Sequence, residues 1–181
     1  MVILLTGAIY FGAQALQKNG THNFSGEWKA KESISMGGNI VCCYYPGDRM
    51  LAETMKIAEQ ANFLNIEVSS SFPGTAPVTG LEQLTFDGKE REIQINHSPE
   101  WGKKSTTKLS ADGKTMTVNS VVHKMVPKPY HVDVQEQLIV YVTEVWKLSD
   151  DGKSITVQAK AKSNSFGEDE RSWNTVFDKV N

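Results

Sequence analysis

An eleven-residue stretch that occurs twice constrains the fold of this chain more than any other feature. Residues 108–118 read KLSADGKTMTV and residues 147–157 read KLSDDGKSITV, with eight identical positions. A looser version, TFDGKEREI, occupies residues 85–93. An Asp-Gly pair flanked by alternating apolar residues is the strongest short-range signal for a hairpin. The first two stretches therefore predict two β-hairpins.

The residues that follow each turn predict strands with one buried face. Apolar residues at 155, 157, 159 and 161 alternate with polar ones after the second turn, and positions 116–122 alternate in the same way after the first. A period of two is typical of a strand that has one face in the core and one in water. The Asp-Gly pairs recur at unequal intervals, which favours a meander of hairpins over a repeat architecture such as a propeller.

Other segments have the same β character. Residues 26–34, 138–148 and 171–180 read as strands, and residues 54–71 read as a hairpin that turns at Ala61-Asn62. We count eight to ten strands and no long helix.

Two irregular connections are predicted between these strands, over residues 69–80 and 123–137. The second is long, polar and contains proline, as barrel-mouth loops or binding lids often are. A meander of this many strands leaves exposed edges unless it closes. The predicted fold class is therefore all-β, an antiparallel up-and-down meander that closes into a barrel of eight to ten strands.

The N-terminus predicts export. Residues 2–15 are apolar apart from Thr6 and Gln14, and Ala13-Gln14-Ala15 has the small-x-small form of a signal-peptidase site. We expect a signal peptide over residues 1–15, a linker over 16–22 and a barrel domain over 23–181. No Lys or Arg precedes the apolar run, so an uncleaved membrane anchor or tether within residues 1–17, or a buried helix, stay as alternatives.

The net charge and the two cysteines limit which kinds of partner and metal site the sequence allows. The net charge of −2 provides no basic surface, so we expect no nucleic-acid partner. The two cysteines, Cys42 and Cys43, are adjacent, which is neither the spacing of a metal site nor a geometry that favours a mutual bridge. We therefore expect the two cysteines either to occupy ordinary positions in a strand or loop or to form a disulfide bridge to another chain.

Two stretches resemble the calycin superfamily, which includes the lipocalins and fatty-acid-binding proteins. NFSGEWKAK (23–31) is similar to their opening strand, which starts with Gly-x-Trp, and TEVWKLSDDGKSITV (143–157) with VFDK (176–179) resembles small exported lipocalin-like proteins of bacteria. The resemblance implies that Trp28 plugs the closed end of a barrel against a basic side chain near the last strand. Arg171 is the first candidate for that side chain and Lys179 the second.

Strand alternation adds an inward-facing pair. If Trp146 faces the interior so does Glu144, and if Trp173 does so does Arg171. A buried charge is costly without a partner, so we expect Glu144 and Arg171 to meet inside the barrel, closing its bottom or holding the polar end of a ligand.

The candidate ligand-binding set comprises four residues of the predicted inner face: Glu144, Arg171, Ser120 and Trp146.

Catalytic and metal-binding patterns are absent from the sequence. The four histidines, at positions 22, 97, 123 and 131, have no metal-ligand spacing, and no nucleophile elbow, zinc-protease or phosphate-loop motif occurs. His123 and His131 flank the predicted 123–137 connection and are expected to be solvated. We therefore predict no metal, cofactor or catalytic residue.

These observations support three functional expectations. The first is an exported lipocalin-like protein, in the periplasm or outside the cell, that binds or carries a small hydrophobic molecule. The second is a barrel filled by its own side chains that acts as an interaction protein or as an accessory subunit of a membrane-associated complex. An enzyme acting on an apolar substrate is the third, and the fold by itself does not choose among them. The oligomeric state is left open.

Overall fold

Ten antiparallel strands and one short 3-10 helix make up the part of the chain that the computed structural model describes, residues 23–32, 44–45, 47–71, 74, 76–94, 100–128, 131–164 and 170–180. The helix is Arg49–Leu51, between β1 and β2. The predicted signal peptide, His22, Cys42, Cys43 and His97 lie outside the described residues. The strands are β1 (Gly26–Ala30), β2 (Thr54–Gln60), β3 (Phe63–Ser70), β4 (Val78–Thr85), β5 (Arg91–Gln94), β6 (Trp101–Leu109), β7 (Thr115–Lys128), β8 (His131–Leu148), β9 (Ser154–Ser163) and β10 (Arg171–Lys179).

The strands form one sheet in the order β4-β3-β2-β1-β10-β9-β8-β7-β6-β5. Among the described residues, strands that are adjacent in sequence pair with one another except β4 and β5, and β1 also pairs with β10, so the first and last strands are joined. The two free edges belong to β4 and β5, between which no ladder forms. The fold is an open, strongly curled half-barrel, which confirms the predicted all-β meander but not its closure.

The open seam follows from the sequence of β5. This strand has only four described residues, and the first two belong to the charged run Lys89-Glu90-Arg91-Glu92. Short, charged edge strands are a common way to prevent further strand pairing. The chain therefore passes from β4 to β5 without pairing the two strands, and the sheet ends on both sides of the seam.

The repeated stretches form hairpin turns with the same hydrogen bonds. In β8–β9, the amide of Lys153 donates to Asp151 Oδ1 at 3.1 Å and the amide of Ser154 donates to Ser149 Oγ at 2.9 Å. Gly152 has φ 67°, a left-handed conformation that glycine adopts without strain. The β6–β7 turn matches it around Asp112 and Gly113. The third copy keeps the turn, with Gly88 at φ 69°, but joins β4 and β5, which do not pair.

The predicted 123–137 connection is wrong, because most of it is strand. β7 continues to Lys128 and β8 begins at His131, so this segment extends the β7–β8 hairpin beyond the rest of the sheet. The amide of Met125 donates to Glu100 O, one residue pair beyond the described start of β6, so by alternation the backbone of residue 127 is also directed towards the side of that strand.

The interior of the curled sheet is lined by alternate residues of the strands, with β5 as the exception among the described residues. Met116, Val118 and Val122 on β7 are buried, as are Ile155, Val157, Ala159 and Ala161 on β9, which confirms both predicted alternations. Trp146 stacks on Phe177 across β9, with ring centroids 6.5 Å apart and an interplanar angle of 12°.

We call the end of the sheet that carries the turns 110–114 and 149–153 the turn end, and the opposite end, with the β1–β2 connection, the connection end.

Part of the β1–β2 connection lies inside the curled sheet. Residues 47–52, here called the inner segment, are all buried although they belong to no strand. Asp48 caps the 3-10 helix by accepting from the amide of Met50 at 2.9 Å, and Ser70 Oγ of β3 donates to Leu51 O at 2.9 Å. The inner segment thus brings its side chains into the interior beside those of the sheet.

Candidate functional site

A buried network of five charged side chains occupies the interior. At its centre, Arg49 of the inner segment joins two strands: Nη1 donates to Glu82 of β4 at 2.5 and 2.6 Å, and Nη2 donates to Glu144 of β8 at 3.0 and 2.8 Å. Lys103 of β6 bonds Asp48 at 2.9 Å and lies 3.6 Å from Glu82. Each of the five is at most 8% exposed. Three carboxylates thus face two cations, which leaves one formal negative charge in excess.

The network side chains of β4, β6 and β8 point inward because side chains alternate between the two faces along a strand. Glu82 shares the inner face of β4 with Leu84, and Lys103 shares that of β6 with Ser105 and Thr107. Such burial of charge is costly unless each group is paired and hydrogen-bonded. The inner segment therefore supplies the counter-charges that these strand positions require.

Proximity of unlike charges shifts the pKa values within the network. Burial by itself raises the pKa of the Glu82 carboxyl, but the charges of Arg49 and Lys103 outweigh this effect and hold that pKa at about 2. Burial, with the nearby carboxylates of Glu82 and Asp48, raises the pKa of Tyr45 to about 12. Glu82 therefore stays ionised and Tyr45 stays protonated at neutral pH.

Glu144 lies in the interior, as the alternation predicted, and is 0% exposed. Its carboxylate accepts from Arg49 and, at 3.1 Å, from Nε1 of Trp146, another residue of the predicted set. The Arg49 guanidinium lies 6.0 Å from the Trp146 ring. The sequence analysis had not connected Arg49 with Glu144.

Arg171 has the inward parity that was predicted but lies two strands away from Glu144. It begins β10 and pairs with Ala161 of β9, whereas Glu144 of β8 pairs with Ala159. It is half-buried at the connection end. The pairing of Arg171 with Glu144 stays a prediction.

Trp28 is fully buried near the turn end, and its Nε1 donates to Phe24 O at 2.9 Å. The basic side chain over its ring is Lys179, whose Nζ lies 5.3 Å from the centroid and whose backbone pairs with Trp28. Lys179 was the second candidate for this place, and Arg171, the first, lies at the other end of β10.

Aromatic side chains surround the connection end of the interior. Tyr44 packs edge-on against Trp173 of β10, with centroids 5.7 Å apart, and Tyr45 packs likewise against Trp101 of β6 at 6.1 Å. Lys124 of β7 places its Nζ 4.5 Å from the Trp101 centroid. Trp101 and Trp173 are only half-buried, unlike the tryptophans deeper in the interior.

Several buried polar atoms on the inner face have no hydrogen-bond partner. Within the described part of the chain these include Trp101 Nε1, Trp173 Nε1, Arg49 Nε, Ser120 Oγ and Thr175 Oγ1. Ser120 belongs to the predicted ligand-binding set and lies on the inner face of β7, 4% exposed. Buried polar atoms are nearly always hydrogen-bonded, so the two indole groups, whose residues are only half-buried, mark places where a bound water or ligand would complete the structure.

Two depressions lie on the outer face of the sheet. One, of about 430 Å³, covers β1 to β4 and is lined by exposed side chains that include Lys29, Lys56 and Glu67. The other, of about 230 Å³, covers β6 to β8 beside Tyr141 and Asn119. Neither adjoins the buried network.

The described residues contain no cluster of His, Cys, Asp or Glu that could hold a metal ion. His123 lies within β7 and His131 begins β8, so neither belongs to a loop. None of the helices in the described portion has the length and apolar character that a membrane span requires.

Four of the five network residues escaped the sequence analysis, and only one had a usable signal. Glu82 stands two residues before Leu84, so an inward Leu84 implies an inward Glu82; residues up to 80 had been read as irregular, which hid the strand. Asp48 and Arg49 lie in a connection without periodicity, and Lys103 lies in a strand with few apolar residues. For these three, only the tertiary structure shows the burial.

Comparison with known proteins identified no relative: no family model, no curated protein and no solved structure matches this chain.

Proposed function

We propose that this protein is an exported, lipocalin-like half-barrel that binds a small, largely apolar molecule at the connection end of its interior. The support is a strongly curled sheet whose inner face is mostly apolar, a form that suits a ligand with apolar walls and a few polar contacts. Export rests on the apolar residues 1–15, and the lipocalin-like identity rests on the Gly26-Glu27-Trp28 stretch with Lys179 over the Trp28 ring.

The observation that carries this proposal is the aromatic lining of the connection end. Trp101 and Trp173 pack against the core but keep part of their rings exposed, and both have an indole N–H that is buried without an acceptor. Val126 of β7 is a further half-buried apolar residue on the same face. Aromatic rings that combine apolar surface with an unused donor are suited to a ligand that has an apolar body.

The charged network sets the depth of the proposed site. Arg49, Glu144 and Trp146 are 0% exposed, so in this conformation no solvent-sized space adjoins them. A ligand would therefore lie between the network and the connection end. The network would close the site on the side of the turn end, and it would hold the inner segment against β4 and β8.

Native mass spectrometry of the protein, purified gently from its own host, tests this proposal. A bound small molecule that is lost on denaturation is the expected result, and the intact mass also reports whether residues 1–15 have been removed. Val126→Arg, on the inner face of β7, should abolish the bound species. Val121→Arg, on the outer face of the same strand, is the matched control and should retain it.

A bare monomer in that spectrum would instead favour the second candidate function, a filled barrel that acts through its surface. The specific observation in its favour is the inner segment, which fills part of the interior with the chain's own residues. The outer surface offers Leu81, 86% exposed on the free edge strand β4, and Tyr141, 59% exposed. Retention of residues 1–15 would point further, to an accessory subunit held at a membrane.

A further inference from the structure

We infer that the ligand of the connection end is an uncharged molecule that carries a carbonyl or similar oxygen acceptor on its apolar body. This inference rests on the proposed function, and it concerns the chemical class of the ligand. It follows from an imbalance between donors and acceptors on the inner face, together with the charge of the network beneath.

The buried atoms without partners are donors or can act as donors. The indole N–H groups of Trp101 and Trp173 can only donate, as can Nε of Arg49, and the hydroxyls of Ser120 and Thr175 can donate as well as accept. A molecule that completes these hydrogen bonds must therefore supply acceptors. A ligand whose polar group only donates would leave the indole N–H groups unpaired at the usual cost of an unsatisfied buried group.

The carboxylates of the network do not meet this need, because their oxygens accept from other donors and from none of these unpartnered atoms. Both oxygens of Glu82 and of Glu144 accept from Arg49, and the two oxygens of Asp48 accept from Met50 and Lys103. The acceptors must come from outside this network.

The charge of the network argues against an anionic ligand. Three carboxylates against two cations leave an excess of negative charge directly below the proposed site, where a further buried anion would be repelled and would lose its hydration. Two described cations lie at the connection end, Lys124 over the Trp101 ring and Arg171 at the start of β10, and both are half-exposed, so solvent screens their charges. An uncharged oxygen satisfies the indole donors without this penalty.

Three naphthalene probes test the inference by equilibrium dialysis against the full chain. They share one dialkylamino-naphthalene ring and carry a propionyl, a propyl or a carboxylate group at the same position. We expect the propionyl probe to bind about three- to tenfold more tightly than the propyl probe, the equivalent of one net hydrogen bond. The carboxylate probe should bind no more tightly than the propyl probe.

Two conservative variants locate the hydrogen bond. Trp101→Phe and Trp173→Phe each keep an aromatic ring and remove one N–H. One of these two variants lacks the N–H that donates to the carbonyl. In that variant the ratio of propionyl to propyl affinity should fall to about one, while the affinity for the propyl probe stays unchanged. Tyr141→Phe, which removes a polar hydrogen on the outer face, is the control and should leave all three affinities as they were.

The outcomes separate this inference from the proposed function. If no probe binds, the proposed function fails and the ligand class fails with it. If propyl and propionyl bind equally, or if the preference survives both Trp variants, the acceptor claim is overturned while binding at the connection end stands. If the carboxylate probe binds most tightly, the claim that the ligand is uncharged is overturned.

Discussion

One guanidinium group connects three parts of this protein. Arg49 leaves the inner segment and binds Glu82 on β4 and Glu144 on β8, strands that are far apart in the order of the sheet. The planar guanidinium has several N–H donors in a fixed geometry, so it can bind two carboxylates at once. A lysine at this position would match that geometry poorly. At the residue scale, removal of this one side chain would break the buried ion pairs with two strands at once.

Arg49→Met should lower the free energy of unfolding by about 3–5 kcal/mol, because it leaves the buried Glu144 without a cation and leaves Glu82 with Lys103 alone. Urea denaturation at neutral pH measures the change. Lys56→Met removes a cation whose partner Glu27 is 3.7 Å away and well exposed, so its urea midpoint should equal that of the wild type. Equal effects of the two substitutions would contradict the importance assigned to the buried network.

Stability should also fall in acid through Glu82. Its pKa of about 2 in the folded protein is below the ordinary value of 4.5, so the stabilisation is complete above about pH 4.5 and is lost as the pH falls towards 2. Glu82→Gln should be less stable at neutral pH and show a flatter urea-midpoint profile over this window. Glu67→Gln, which changes an exposed carboxylate of β3, should keep the wild-type profile. Parallel profiles for Glu82→Gln and the wild type would contradict the linkage.

At the scale of elements, the position of the inner segment depends on a close backbone contact with β4. A Cβ atom added to Gly80 would collide with the carbonyl oxygen of Gly47, and Gly47 itself has φ 91°. Glycine at 80 thus leaves room for the turn that leads into Asp48 and Arg49. The charged network and this contact hold the inner segment against the same strand.

Gly80→Ala should destabilise the protein by about 1–3 kcal/mol, because backbone must move to relieve the overlap. Gly102→Ala is the matched control: this glycine is also in a strand, but its added Cβ would meet only the His123 ring, which can rotate away. Urea midpoints of the two variants measure the difference. A larger loss for Gly102→Ala would show that the inner segment adapts more readily than we infer.

At the scale of the whole molecule, side chains rather than backbone hydrogen bonds connect the two sides of the seam. Lys103 of β6 lies 3.6 Å from Glu82 of β4, while β4 has no strand partner on that side. The amide of Phe86 donates to Asn62 O. By alternation, the backbone N–H and C=O groups of even-numbered β4 residues point towards β3, and those of odd-numbered residues point towards the seam. Side-chain contacts in the interior and the inner segment thus hold the two edges of the open sheet close together.

Hydrogen exchange should reveal this seam directly. The amides of Leu81 and Gln83 face it and should exchange at least about 100-fold faster than those of Glu82 and Leu84, which bond to β3. Amide exchange followed by NMR compares these neighbours within one strand. Equal protection of the two sets would mean that the seam is paired in solution.

The sequence alone was sufficient for the regular parts of this fold. The Asp-Gly turns and the period-two alternation predicted both repeated hairpins, the turn at 61–62 and the inward direction of Glu144, because these features depend on residues that are neighbours in the chain. The charge run at 89–92 is also local, although its consequence, the lack of pairing between β4 and β5, was recognised only in the structure.

Tertiary structure alone decided the rest. Arg49 carries no local sign of burial, and its partners are 33 and 95 residues away in the chain, so no periodicity could connect them. The strand nature of most of 123–137 depended on the pairing of β7 with β8, and the choice of Lys179 over Arg171 beside Trp28 depended on the register of β10 against β1. Local pattern fixes which face of a strand a residue occupies, whereas the partner that it meets there depends on how distant strands curl around a common interior.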